Sequence, residues 1–64
     1  MSAESNSKIL ANLGAAYRAK GDMVHAKEKY QQALALNPLS AQAMLGIGVV
    51  YQQLGDTVAA EQSF

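Results

Sequence analysis

Apolar residues recur along the chain at helical spacing. Ile9, Leu10, Leu13, Ala16 and Tyr17 fall on one side at i, i+3, i+4 and i+7 offsets, separated by polar residues. The pattern predicts an amphipathic helix ending near Lys20. Ser5, Asn6 or Ser7 can cap its start, since each short side chain can accept from an exposed amide. Residues 1–6 are small and polar and are expected to form a disordered lead-in. Gly21-Asp22 stops the helix: glycine takes the left-handed position after the cap without a Cβ penalty, and Asp22 can cap the next helix. A second helix is expected from about Met23 to Leu36, with Val24, Ala26, Tyr30, Ala33 and Leu34 inward and Lys27, Glu28, Gln31 and Gln32 solvated. Asn37-Pro38 ends it, because a residue before proline is pushed out of the helical region. Ser40 then caps a third helix, Ala41 to about Leu54, with Met44, Ile47, Gly48 and Tyr51 inward. A second Gly-Asp pair, Gly55-Asp56, is expected to open a short fourth helix.

The two halves of this pattern are copies. A shift of 34 positions puts Gly14 on Gly48, Tyr17 on Tyr51, Gly21 on Gly55 and Ala26 on Ala60. Under the same shift Leu10 meets Met44, Leu13 meets Ile47 and Tyr30 meets Phe64. A fixed period of this length marks stacked repeats. The expected organisation is therefore a lead-in over 1–6, a first repeat over 7–40 and a truncated second repeat over 41–64. The expected fold is all-α: antiparallel helix-turn-helix repeats, two helix pairs with the last helix cut short. Gly14 and Gly48 stand inside helices, where glycine costs about 1 kcal/mol relative to alanine. That cost at two equivalent positions predicts close helix–helix approach there. Gly46 has no such counterpart, because Asn12 stands one repeat earlier; it either weakens the third helix or leaves room for a side chain from outside.

These residues resemble the tetratricopeptide repeat (TPR) family. That motif wants a large residue, then Leu, Gly, Tyr, a Gly turn, Ala, an aromatic, Ala and Pro at fixed offsets. The first repeat supplies Leu10, Leu13, Gly14, Tyr17, Gly21, Ala26, Tyr30, Ala33 and Pro38. The second supplies Met44, Ile47, Gly48, Tyr51, Gly55, Ala60 and Phe64 before the sequence runs out. The resemblance implies a non-catalytic protein-interaction module whose first helices line a concave face. Projected onto this chain, the partner-binding positions are Lys8, Ala11, Asn12, Ala15, Gln42, Leu45, Gly46 and Val49. Members that clamp a terminal carboxylate use Lys and Asn where this chain has Ala11 and Ala15, and Asn where Gly46 stands. Leu45 and Val49 suit an apolar side chain instead, such as one face of a partner helix. In style the run from Lys20 to Asp56 is also similar to bacterial repeat lipoproteins that help assemble type IV pili. Those carry a lipidated cysteine that this sequence lacks.

Composition narrows the chemistry. The chain has 64 residues, no cysteine and a formal net charge of zero. Balanced charge leaves no footprint for nucleic acid or an anionic membrane, and no apolar run approaches the roughly 18 residues of a membrane span. His25 is the only histidine, beside Lys27 and Lys29, and is expected to be a solvated surface residue. No carboxylate pair, nucleophile–base pair or metal-ligand spacing is present, so no enzyme, metal or cofactor is expected. Gly46-x-Gly48 lies within a helix and does not match a phosphate loop. As written the chain reads as cytoplasmic; a fragment of a longer protein could be periplasmic or membrane-anchored. A repeat unit cannot bury its faces alone. Self-association through exposed repeat faces, or membership of a longer scaffold, is therefore the alternative reading to a groove for a foreign partner.

Overall fold

The computed structural model describes the backbone of residues 2–62 and the side chains of residues 2–55. Three helices follow one another: α1 (Ala3–Ala19), α2 (Met23–Leu36) and α3 (Ala41–Gln62). α1 and α2 form an antiparallel hairpin, and α3 packs mainly on α2 and touches α1 more lightly. All the described secondary structure is helical, as the periodicity predicted.

Local chemistry explains the boundaries. Ser2 caps α1, accepting from the Ser5 amide at 3.1 Å. The helix thus starts before the expected caps, and from Ala3 onward the predicted disordered lead-in is helix. Gly21 ends it with φ 86°. The Gly21 amide donates to the Arg18 carbonyl and the Asp22 amide to the Tyr17 carbonyl, both at 2.9 Å, which is the Schellman pairing. Asp22 caps α2 by accepting from the His25 amide at 3.1 Å. The Ala33 carbonyl accepts from the Asn37 amide at the end of α2. Ser40 caps α3, its hydroxyl accepting from the Ala43 amide at 3.2 Å.

The second Gly-Asp pair behaves differently from the first. α3 runs straight through Gly55 and Asp56 to Gln62, so the expected turn and fourth helix do not form. At Gly21 the chain reverses because α2 returns with Ala26, Tyr30 and Ala33 to bury against α1. At Gly55 the helix propagates instead of reversing. The side chain of Ala60 and the whole of Phe64 lie outside the described residues.

The core is made of small residues around one large one. Ala11, Ala26, Ala33, Ala43 and Val50 are fully buried, and Tyr30 is 1% exposed. Ser7, Gly14 and Gly46 are buried with them. Tyr30 reaches from α2 across both other helices. A Cβ added to Gly14 would sit 3.0 Å from its ring, and one added to Gly46 would overlap the ring outright. Burying a side chain of this size contributes about 1.5–3 kcal/mol, and among the described residues no other fully buried side chain is as large. Gly46, which the sequence left without a reason, thus makes room for Tyr30; the incoming side chain comes from this chain.

Several expected inner positions face outward. Ile9, Leu13, Ala16, Val24, Met44 and Tyr51 are exposed, Val24 by 64%. Gly48 meets nothing within 4 Å and makes none of the predicted close approach. Helix–helix contact is closest where side chains are short, so the Ser7–Ala11–Gly14 stripe of α1 faces α2 and the larger residues flank it. The Ser7 hydroxyl locks this seam by donating to the Ala33 carbonyl at 2.9 Å.

Candidate functional site

The site expected from the sequence lies on α1 and α3. The Gln42 side-chain amide donates to the Asn12 side-chain oxygen at 2.7 Å, joining the two helices there. Lys8, Asn12 and Gln42 are exposed, Ala15 and Val49 are half-buried, and Leu45 is 72% exposed. Ala11 and Gly46 do not belong to this surface. Ala11 is fully buried, and Gly46 lies under Tyr30. Their place in the expected groove is corrected by the same cause: both are small because another helix covers them.

At one end of this face lies a depression of about 220 Å³ lined by Glu4, Ser7, Lys8, Asn37, Ser40, Ala41 and Gln42. Its rim is polar, and Glu4 and Lys8 stand one helical turn apart on α1 in the favourable order, acid before base. Sequence reasoning missed Glu4 because residues 1–6 were expected to be disordered. The usable signal was Ser2, whose hydroxyl and offset allow the helix to begin a turn earlier. A second, smaller depression of about 140 Å³ lies on α1 between Leu13, Ala16, Tyr17 and Lys20.

His25 is exposed, as expected, yet engaged. Its ring stacks on Tyr17 with centroids 5.2 Å apart, and Nδ1 lies 2.7 Å from Asp22 Oδ2. Asp22 is held below the usual carboxylate range, chiefly by the hydrogen bond from the His25 amide, with smaller help from the imidazole and Lys20 against a desolvation cost. The pair ties the α1–α2 turn together. Among the described residues no three His, Asp or Glu side chains gather in a way that could hold a metal ion. No described helix is long and apolar enough to cross a membrane.

A family model described as a TPR repeat matches residues 14–55, well over half of the chain. The chain belongs to the tetratricopeptide repeat family. The match begins at Gly14, spans α2 with Tyr30, and ends at Gly55, so it covers the end of α1, all of α2 and α3 as far as Gly55. No curated protein and no solved structure matches the chain. Repeats of this TPR kind are generally protein-interaction modules.

Proposed function

We propose that this TPR chain binds a protein partner across the face shared by α1 and α3. The partner presents an amphipathic helix or short peptide. Lys8, Asn12, Ala15, Gln42, Leu45 and Val49 form the contact surface, with Glu4 added at its polar end. Leu45 supports this reading most directly. It is a large apolar side chain left 72% exposed beside half-buried Val49, next to the polar Asn12–Gln42 link. Burying one such side chain on a partner contributes about 1.5–3 kcal/mol, while Asn12, Gln42 and Lys8 offer orienting hydrogen bonds. The module does no chemistry in this reading; it holds a partner.

A displayed library of helical and extended peptides, selected against the chain, tests it. Amide chemical shifts of the labelled chain, followed as a selected peptide is added, are expected to move around Lys8, Asn12, Gln42, Leu45 and Val49. Leu45→Glu is expected to weaken binding at least tenfold with helicity retained. Selected peptides that move only resonances elsewhere, or that bind Leu45→Glu unchanged, would overturn the assignment.

A further inference from the structure

The fold leaves one nearly buried polar group unused. Tyr30 is 1% exposed, and its hydroxyl hydrogen-bonds to no other polar atom of the chain. Among the described residues, no fully sealed side-chain oxygen or nitrogen lacks a partner. The hydroxyl is therefore the part of Tyr30 that reaches the surface. Where it emerges follows from the ring. A Cβ added to Gly14 of α1 would lie 3.1 Å from Cγ and 3.0 Å from Cδ1, at the base of the ring. The atom nearest a Cβ added to Gly46 of α3 is Cζ, at the tip, which carries the hydroxyl. Gln42 and Val49 stand one helical turn either side of Gly46, and Gln42 carries the bond to Asn12 across the two helices. The tip of Tyr30 thus comes up where the repeat register places Gly46 on the contact face.

We infer, on the basis of the binding face proposed above, that the Tyr30 hydroxyl helps to set its specificity, donating to a main-chain carbonyl of a partner segment bound in extended form. The groups left free around it are mostly donors. The Asn12 side-chain oxygen is taken by the Gln42 amide, which leaves the Asn12 amide to donate. Lys8 donates only, and it forms no ion pair among the described residues. The Gln42 side-chain oxygen remains as an acceptor. An extended main chain offers free carbonyls and amides in alternation, whereas a helix uses both in its own bonds. Leu45 and Val49 then hold an apolar side chain of the same segment. A hydroxyl fixed on an enclosed ring is already oriented, so little side-chain freedom is lost when it binds.

Tyr30→Phe removes the hydroxyl and keeps the ring. Its thermal melt is expected to match the parent's, because the chain gives the hydroxyl no partner. Peptides selected against the parent chain are expected to bind Tyr30→Phe about tenfold more weakly, the worth of about one hydrogen bond. Transferred nuclear Overhauser effects are expected to show them bound in extended form. Replacing the peptide carbonyls one at a time by thioamides, which are weak acceptors, locates the contact. One replacement is expected to weaken binding to the parent and to leave binding to Tyr30→Phe unchanged. A peptide weakened by Leu45→Glu but not by Tyr30→Phe would sink this inference and leave the face standing; a peptide indifferent to both would sink the face as well. A peptide bound as a helix, or a loss in Tyr30→Phe that couples to no thioamide position, would overturn the inference. So would a lower melting temperature for Tyr30→Phe, since the hydroxyl would then be bonded inside the chain.

Discussion

Gly46→Ala and Gly48→Ala make the same chemical change two residues apart on one helix, and they should act in opposite directions. Each replaces a helical glycine by alanine, which by itself favours the helix by about 0.8–1.0 kcal/mol. At Gly48 the new methyl meets nothing within 4 Å, so that gain stands alone. At Gly46 the methyl would lie inside 3.0 Å of three carbons of the Tyr30 ring. The ring has little room to yield, because Tyr30 is 1% exposed and a Cβ added at Gly14 would also lie 3.0 Å from it. Helices must part instead, and overpacking of this kind costs about 1–3 kcal/mol. The upper end applies, since the ring it meets is enclosed in the core and rigid. The net effect of Gly46→Ala is then a loss of about 2 kcal/mol, beside a gain of about 1 at Gly48. Urea or thermal unfolding followed by circular dichroism, at the lowest protein concentration that gives a signal, measures both. For a domain this small each kcal/mol moves Tm by about 4–8 °C. Tyr30→Leu supplies the cross-check: in that background Gly46→Ala should become stabilising, the loss of about 2 turning into a gain of about 1, a coupling of about 3 kcal/mol. Equal stabilisation by the two glycine variants, or additivity with Tyr30→Leu, would refute the clasp.

Three further outcomes follow from the seam and the caps. Ser7→Ala removes the buried bond to the Ala33 carbonyl, but that carbonyl keeps the Asn37 amide as a donor; chemical denaturation should show a loss of about 0.5–1.5 kcal/mol and not the larger penalty of an orphaned group. Gly21→Ala forces a Cβ into a residue with φ 86°, and thermal melts should show a loss of about 1–2 kcal/mol even though space there is open. Asp22 titrates below its unfolded value, so its cap supports the fold fully above that unfolded value and fades as pH falls through the lower folded one; Tm against pH in the acid range should fall more steeply for the parent chain than for Asp22→Asn, and parallel curves would contradict the assignment.

How much of this was legible depends on side-chain size. The two-copy register, both caps at Asp22 and Ser40 and the reversal at Gly21 were all readable, because each follows from local backbone chemistry. The contact seam was harder to read. Hydrophobic periodicity weights large residues and so pointed to Ile9, Leu13 and Val24, whereas the helices meet along Ser7, Ala11 and Gly14. Gly46 could not be understood until Tyr30 was placed against it, since only tertiary geometry joins positions on different helices. Gly55-Asp56 misled for a related reason. A dipeptide that permits a turn does not compel one, and reversal at Gly21 depends on what α2 brings back. Of the expected binding surface, the exposed positions were legible from the repeat register, while Ala11 and Gly46 were hidden by neighbours the local pattern does not report.

The seat of Tyr30 on Gly46 also gives the stack a polarity. One repeat earlier the residue equivalent to Gly46 is Asn12, exposed and bonded to Gln42. A helix lying on α1 as α2 lies on α3 would bring its aromatic ring onto an asparagine side chain and could not sink to the same depth. The junction between α2 and α3 therefore works like a keyed joint. The key is cut at Gly46 and absent at Asn12, so a helix packed on α1 would sit farther out than α2 sits on α3.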